Sequence, residues 1–237
     1  MRRYDRNINM NAFSYRVQTL QPSAIREILK FTADPEVISF AAGNPAPEAF
    51  PTEEIARITN DILTNTPIDA LQYSITEGYA PLREWIRQDL KKKGMFDEYE
   101  EDVVITSGAQ QAMEVVTKEI CNEGDVIICE APTFIGSLNA FRSYNAKLVG
   151  IEMEDDGINI EKLEEALIKY QRTAFIYLIP NFQNPTGKTM SLEKRKKVLA
   201  LAQKYNVYIL EDNPYGDLRY LGEDIPSIKS MDKTGHV

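Results

Sequence analysis

From residue 102 onward, short apolar runs alternate with stretches of helical periodicity, and this alternation restricts the fold more than any other feature of the sequence. The apolar runs are rich in Val, Ile and Leu, which is typical of strands that are buried on both faces of a sheet. Strands are predicted over residues 103–106, 126–129, 147–151, 174–178 and 207–210. Helices are predicted between them, over residues 110–121, 134–144, 160–170 and 192–205. This order of elements favours an α/β fold with a mostly parallel sheet that carries helices on both faces.

The first hundred residues follow a different pattern, in which helices and loops dominate. A polar arm precedes a short amphipathic helix, predicted over residues 22–31 with Ser23 as its N-cap. A loop rich in glycine and proline follows over residues 41–51, and further helices are predicted over residues 52–63 and 79–93. We therefore expect an N-terminal arm with a helix over residues 1–50 and one large domain over residues 51–237.

Composition and charge argue against several classes of function. The formal net charge is −9, from 27 basic and 36 acidic residues that are interspersed along the sequence. A nucleic-acid partner is not expected, because binding a phosphate backbone requires a basic stripe. A membrane partner is not expected either, because a spanning helix requires about 20 consecutive apolar residues. The only histidine, His236, is the penultimate residue, so neither a histidine-based metal site nor a catalytic triad is expected.

The cysteines and the N-terminal residues indicate a cellular compartment. Cys121 and Cys129 lie at a predicted helix end and in a predicted buried strand, where free cysteines act as small hydrophobic residues. Residues 1–20 are polar and contain no apolar run of the kind that a signal peptide requires. We therefore expect a reduced, cytoplasmic protein.

Two predicted strands are followed by residues suited to a flat, phosphorylated ligand, at the edge where parallel sheets bind their ligands. Gly108 lies between a strand and a helix, so the backbone N–H groups of Ala109 and Gln110 could hold a phosphate. A tight turn that allows close helix packing is the alternative. Phe134, just beyond the second strand, could stack on an aromatic ligand, or it could pack in the core.

The fourth and fifth predicted strands end in residues that could hold the polar groups of the same ligand. Residues 180–187 form a turn rich in proline and asparagine in which the Asn184 amide could fix a ligand oxygen, with a plain loop as the alternative. Asp212 directly follows a strand, where a carboxylate requires a cation such as a protonated ring nitrogen, unless it caps the next turn. With a phosphate at Gly108, a stacked ring at Phe134, a phenolic oxygen near Asn184 and Tyr215 and a ring nitrogen at Asp212, the ligand has the features of pyridoxal 5′-phosphate (PLP).

Five segments, taken in order, resemble those of a known family. They cover residues 22–27, 39–48, 71–83, 183–187 and 211–215, the last two reading Gln-Asn-Pro-Thr-Gly and Glu-Asp-Asn-Pro-Tyr. The sequence resembles the fold-type-I aminotransferases of class I and II, and within them the 2-aminoadipate (LysN-like) aminotransferases and the effector domains of MocR-type regulators. The resemblance implies the large domain of the PLP-dependent transferase fold, an amino acid and a 2-oxo acid as substrates, and a homodimer as the active form.

The resemblance also implies a role for each matching residue. For the cofactor it implies phosphate contacts from Gly108, Ala109 and Gln110, ring stacking by Phe134, and contacts to the 3-oxygen and the pyridine nitrogen from the catalytic residues Asn184, Tyr215 and Asp212. Tyr73 would reach the phosphate that is bound by the neighbouring subunit. Gly43 and Asn184 would contact the substrate, and Arg26 would face its distal end unless it forms a surface salt bridge.

The sequence departs from the family in one respect. It ends at Val237, before a Ser-x-Ser-Lys motif that would carry the Schiff-base lysine and before the small C-terminal domain. Lys229 and Lys233 lie outside any such motif and are interpreted as solvated. We therefore expect the front part of an aminotransferase that is inactive or nearly so by itself. Two alternatives on the same scaffold are a PLP-binding effector domain of a MocR-type regulator, which needs a winged-helix domain upstream, and a PLP lyase or decarboxylase.

Overall fold

The computed structural model describes residues 14, 36–38, 45–96 and 101–237. These residues divide into two compact units. The helical unit contains the described residues of Gln21–Trp85 together with Val103–Ile105, and the sheet unit is formed mainly by those of Ile86–Asp102 and Thr106–Val237. The helix predicted over residues 22–31 lies outside the described residues.

The helical unit is described by its short helices. It contains a 3-10 helix at Pro47–Ala49, helix α1 at Thr52–Asn65 and helix α2 at Pro67–Leu71, and helix α3, Ala80–Lys92, begins in it. Helices α1 and α3 confirm the predictions over residues 52–63 and 79–93. Helix α2 was not predicted, because its five residues are too few to show a periodic pattern.

The strand predicted over residues 103–106 is wrong. The Nε of Arg83 donates to the Val103 carbonyl over 2.7 Å, and the Ile105 N–H donates to the Glu77 carbonyl over 2.8 Å. These isolated bonds satisfy single backbone groups, whereas a β-strand requires a neighbouring strand with a repeated ladder. No described residue supplies such a ladder to this segment. The apolar pattern could not reveal this, because the presence of a neighbouring strand is a long-range property.

The sheet unit is built on five strands in the order β3-β2-β1-β4-β5. Their bounds are Val126–Ala131 for β1, Lys147–Glu154 for β2, Gly157–Ile158 for β3, Thr173–Leu178 for β4 and Tyr208–Glu211 for β5. Strand β1 pairs in parallel with β2 and β4, and β4 pairs in parallel with β5, whereas β3 pairs antiparallel with β2. The mostly parallel sheet and four of the predicted strands are thereby confirmed. The two residues of β3 are too few to be predicted from a pattern.

The four helices predicted over residues 110–121, 134–144, 160–170 and 192–205 are present. Their bounds are Ala109–Ile120 for α4, Ile135–Ser143 for α5, Ile160–Lys169 for α6, Leu192–Tyr205 for α7 and Ile228–Met231 for the short, unpredicted α8. Helices α6 and α7 begin where the side chains of Asn159 and Ser191 accept hydrogen bonds from the backbone N–H groups of Lys162 and Lys194. Asn206 caps the C-terminal end of α7, and its φ of 51° is a left-handed conformation that asparagine tolerates.

Apolar side chains cover both faces of the sheet. On one face, Ile176 of β4 belongs to a cluster with Leu163 of α6 and Val198 of α7. On the other face, the neighbouring Phe175 packs edge-to-face against Phe141 of α5, with ring centroids 5.3 Å apart. Successive residues of one strand therefore fill two different cores, which explains why the strands read as continuous apolar runs.

The strand order reverses direction at the centre of the sheet. Strand β2 lies on one side of β1, and β4 returns to the other side of β1. In open parallel sheets, such a reversal leaves a crevice outside the carboxyl ends of the strands, where ligands bind. The loops after β1, β4 and β5 leave the sheet at this edge and carry Phe134, Asn184, Asp212 and Tyr215, whereas Gly108, Ala109 and Gln110 lie in the turn that opens α4.

Two predictions made from the composition concern a membrane span and the two cysteines. No described helix is both long enough and apolar enough to span a membrane. Cys121 and Cys129 are free and buried, and burial raises the pKa of each thiol to about 11. Both residues therefore behave as small hydrophobic side chains, as predicted.

Candidate active site

A glycine turn opens helix α4 in the sheet unit. Gly108 has φ 79° and ψ 165°, a backbone conformation that is strained for any residue with a side chain. The Thr106 hydroxyl donates to the Gly108 carbonyl over 3.1 Å and fixes the turn. No described residue accepts a hydrogen bond from the backbone N–H groups of Ala109 or Gln110. These two groups and the positive end of the helix dipole can therefore bind an anion.

Phe134 lies beside this turn. It directly precedes α5 and is 36% exposed, so packing in the core does not account for it. A methyl group added at Gly136 would lie 2.5 Å from Cε1 of Phe134 and 3.2 Å from Oε1 of Gln110. The Phe134 ring and the Gln110 side chain therefore meet at Gly136, which leaves room for both.

Asp212 directly follows β5 and is half-buried. Its backbone N–H donates to the Leu178 carbonyl over 2.9 Å. Its Oδ2 accepts a bond of 2.7 Å from the Tyr177 hydroxyl, which accepts one of 2.9 Å from the Ser137 hydroxyl. Burial raises the pKa of Asp212, and the Tyr177 hydrogen bond opposes that shift. No described backbone N–H donates to this carboxylate, so the alternative of a capping aspartate is not supported.

Asn184 and Tyr215 meet where the loops after β4 and β5 converge. The Asn184 Nδ2 donates to the Tyr215 hydroxyl over 3.2 Å, across 31 positions of sequence. Because the Tyr215 hydroxyl accepts this bond, its own proton is free to be donated to a ligand oxygen. The pair therefore offers directed polar contacts to a ligand at one point.

A series of contacts within the sheet unit joins these positions. Gly136 joins the glycine turn to Phe134, and the Ser137 and Tyr177 hydroxyls join α5 to Asp212. The Asn181 Nδ2 donates to Oδ1 of Asn213 over 2.8 Å, which joins the loop after β4 to the residue that follows Asp212. The residues that the structure brings to one edge of the sheet are Gly108, Ala109, Gln110, Phe134, Asn184, Asp212 and Tyr215.

Sequence reasoning missed a buried carboxyl group behind this edge. Glu130, near the end of β1, is 1% exposed, and burial raises its pKa to about 7. Its Oε2 accepts bonds from the Ile179 N–H and from Nε2 of Gln183, over 3.1 and 3.2 Å, whereas its Oε1 has no partner among the described residues. Nε2 of Gln183 also donates to the Pro132 carbonyl over 2.7 Å, which fastens the loop after β1 to the loop after β4. The signal was the same as for Asp212, an acidic residue at the end of an apolar strand.

A buried arginine was missed as well. Arg195 of α7 is 0% exposed. Its guanidinium donates to the carbonyl oxygens of Met190, Pro180, Ile225 and Pro226 and to Oδ1 of Asn181. Since Asn181 in turn donates to Asn213, this one cation holds the loops after β4 and β5 together.

Three expected residues are not placed at this edge. Tyr73 belongs to the helical unit and is 99% exposed. Gly43 and Arg26 lie outside the described residues. The roles of all three stay predictions.

The structure corrects the interpretation of one lysine. Lys229 was interpreted as solvated, but its Nζ forms an ion pair with Glu101 and donates to the Val237 carbonyl over 2.9 Å. It is held there because it lies in α8, where its backbone N–H donates to the Glu211 carboxylate over 2.8 Å. Lys233 is exposed, as expected.

Comparisons with known proteins identify the family. The family model described as aminotransferase class I and II matches residues 35–236. The aromatic-amino-acid aminotransferase 1 of Thermococcus litoralis is 41% identical over 229 residues, which cover 95% of this chain and 55% of the relative. The 2-aminoadipate transaminase of Thermus thermophilus is 41% identical over 218 residues, which cover 92% of this chain and 53% of the relative. The solved structure of a Pyrococcus horikoshii kynurenine aminotransferase in complex with PMP matches with a TM-score of 0.88 at 37% identity, covering 95% of this chain and 57% of that one.

The chain belongs to the class I and II aminotransferases. The family and the fold expected from the sequence, including the likeness to 2-aminoadipate aminotransferases, are thereby confirmed. The chain spans about half the length of the curated relatives that it matches.

Proposed function

We propose that this chain is the cofactor-binding part of a PLP-dependent aminotransferase, which moves an amino group from an amino acid to a 2-oxo acid. The observation that carries the proposal is the convergence, within the sheet unit, of a free helix N-terminus, an exposed aromatic ring, an amide–phenol pair and a half-buried carboxylate. The relatives that are named as aminotransferases support it.

The phosphate and the ring of PLP fit the start of α4 and the neighbouring Phe134. The N–H groups of Ala109 and Gln110 would bind the phosphate, because they lack a described acceptor. Phe134 would stack on the pyridine ring. Gly136 suits this arrangement because a methyl group there would displace the Phe134 ring.

The polar atoms of the pyridine ring fit Asn184, Tyr215 and Asp212, which lie after β4 and β5. The Asn184 amide and the Tyr215 hydroxyl would hold the 3-oxygen. Oδ1 of Asp212, to which no described residue donates, would accept a hydrogen bond from the ring nitrogen. The arrangement therefore offers one matching group for each feature of the cofactor.

When bound, PLP supplies an electron sink for the electrons that are released at the α-carbon of the amino acid. Asp212 would keep the ring nitrogen protonated, because an ionised carboxylate nearby favours the charged form. Asn184 and Tyr215 would fix the orientation of the ring through its 3-oxygen. The N–H groups at the start of α4 would fix its position through the phosphate, so that the chain aligns the cofactor with the substrate.

We further propose that the covalent attachment of PLP does not use the lysines at the end of this sequence. Lys229 is engaged by Glu101 and by the Val237 carbonyl, and Lys233 is exposed. Mapping the site at which borohydride fixes PLP tests this statement. Fixation on Lys229 or Lys233 would contradict it.

The relatives suggest a substrate class, and three residues away from this edge of the sheet are assigned to the substrate and to a second subunit. The two relatives are named for aromatic amino acids and for 2-aminoadipate, so an amino acid with a large side chain is the proposed substrate class. Gly43 and Arg26 are the proposed substrate contacts. Tyr73, which is 99% exposed, is proposed to reach the cofactor of a second subunit in a cytoplasmic homodimer.

Binding of pyridoxamine 5′-phosphate, which forms no bond to lysine, tests the proposed function. Isothermal titration of the chain should show binding, and Asp212→Asn should weaken it about ten- to a hundredfold through loss of a charge-assisted hydrogen bond. The matched control is Asp217→Asn, since the Asp217 side chain lies five residues further on, is exposed and pairs with Lys93 over 3.2 Å. Equal affinities for the unmodified chain and Asp212→Asn, or no binding at all, would contradict the proposal.

A further inference from the structure

Tyr177 and Asp212 are neighbours on one face of the sheet. Tyr177 pairs with Leu210 in the parallel register of β4 and β5, and Asp212 lies two residues beyond Leu210. Residues two apart on a strand point to the same face, so the Tyr177 hydroxyl meets the Asp212 carboxylate. Tyr177 is fully buried, and its ring packs edge-to-face against Phe141 with centroids 5.3 Å apart. The position of the hydroxyl is therefore fixed by the core.

The direction of the Tyr177 hydrogen bond is fixed by a second hydroxyl. Ser137 of α5 is buried and donates to the Tyr177 oxygen over 2.9 Å. Tyr177 has one hydroxyl proton, and that proton is donated to Oδ2 of Asp212 over 2.7 Å. The three side chains thus form a one-way series of donors that ends on the carboxylate.

These hydrogen bonds affect the ionisation of Asp212. Partial burial makes the ionised form of Asp212 less favourable, and a neutral Asp212 could not hold a ring nitrogen protonated. A donor on Oδ2 stabilises the ionised form. Among the described residues, none donates to Oδ1, so that oxygen is left for a ligand.

We propose that Tyr177 is a positioning residue, supported by Ser137, which keeps Asp212 ionised and reserves its Oδ1 for a cationic ring nitrogen. The identity of that ligand rests on the proposed function, whereas the effect of Tyr177 on the charge of Asp212 does not. The two can therefore be tested separately.

Titration of the carboxyl groups by carbon-detected NMR, without any ligand, tests the effect on charge. In Tyr177→Phe, which keeps the buried ring, the pKa of Asp212 should be higher than in the unmodified chain, because the hydrogen bond to its ionised form is lost. Tyr205→Phe is the matched control, since the Tyr205 hydroxyl donates to the surface Glu164 over 2.9 Å. That variant should change the titration of Glu164 and leave Asp212 unchanged. An unchanged Asp212 titration in Tyr177→Phe would overturn the proposal.

A pair of probes tests the role toward the ring nitrogen. The probes are pyridoxamine 5′-phosphate and its 1-deaza analogue, in which a C–H replaces the ring nitrogen. Tyr177→Phe should bind pyridoxamine 5′-phosphate about tenfold more weakly and the analogue with unchanged affinity. Ser137→Ala should act in the same direction with a smaller effect.

The outcomes separate the proposal from the proposed function. An equal loss of affinity for both probes in Tyr177→Phe would show that Tyr177 only shapes the pocket, and it would overturn the positioning role. If the unmodified chain binds neither probe, the proposed function fails for this chain, and the titration of Asp212 alone decides whether Tyr177 controls its charge.

Discussion

The two units of the molecule differ in how far they bury their apolar side chains. In the sheet unit, Ile176 is fully buried between helices and strands of the same unit. In the helical unit, α1 has no buried residue, and Ile55, Ile58 and Ile62, which lie on one face of the helix, are 39–56% exposed. The same apolar periodicity thus predicts a helix in both units, but only in the sheet unit do the described residues cover it. The candidate site residues that the structure brings together belong to the unit that covers its own core.

The largest loss of stability is expected when the buried cation of the sheet unit, Arg195, is removed. Arg195→Met should lower the free energy of unfolding of the sheet unit by about 3–5 kcal/mol, because several buried carbonyl groups lose their donor. Urea denaturation at neutral pH measures this loss. Lys196→Met, at an exposed position of the same helix, is the control and should stay within about 0.5 kcal/mol. A loss below about 1 kcal/mol for Arg195→Met would mean that the loops after β4 and β5 hold together without it.

A matched pair of apolar truncations compares the units directly. Ile176→Ala should cost about 2–5 kcal/mol, because it leaves a cavity in a packed core. Ile58→Ala, at a position that is 42% exposed, should cost less than about 1 kcal/mol. Equal losses in urea denaturation would show that the apolar face of α1 is covered as well as that of β4.

A smaller effect than those of Arg195→Met and Ile176→Ala, and one that depends on pH, is expected from Glu130→Gln. Burial raises the pKa of Glu130 from 4.5 to about 7, so the folded state binds this proton more tightly than the unfolded state does. The resulting stability is fully present below about pH 4.5 and is lost as the pH rises through about 7. The free energy of unfolding of the unmodified chain minus that of Glu130→Gln should therefore fall between pH 4.5 and 8, by on the order of 2–3 kcal/mol.

Denaturation curves at several pH values in that range measure this difference. Taking the difference between the two proteins removes the contributions of all other carboxyl groups. Parallel stability profiles for the two proteins would show that Glu130 does not titrate in this range.

Much of the sheet unit could be predicted because its signals are local. The continuous apolar runs of β1, β2, β4 and β5 and the periodic helices between them are visible within short windows of sequence. The segment over residues 103–106 carries the same apolar signal, but the described residues give it no neighbouring strand. Local pattern therefore predicts the propensity of a segment, whereas pairing decides whether a strand forms.

The supporting residues of the candidate site were harder to find, for two different reasons. Arg195 did leave a signal, because it lies three, four and seven positions before Val198, Leu199 and Ala202, on the buried face of α7. Tyr177 left none, because its contact with Asp212 depends on the register of β4 against β5. A hydroxyl in an apolar strand becomes informative only when its neighbour across the ladder is known.

We propose that four separate loops of the sheet unit bind one phosphorylated pyridine, with Asp212 at its nitrogen. A crystal structure of the chain with pyridoxamine 5′-phosphate would show whether these loops hold the ligand. We expect the phosphate at the N–H groups of Ala109 and Gln110, the ring against Phe134, and the ring nitrogen hydrogen-bonded to Oδ1 of Asp212. A ligand bound elsewhere, or a ring nitrogen that faces solvent away from Asp212, would show that these loops do not form the cofactor site.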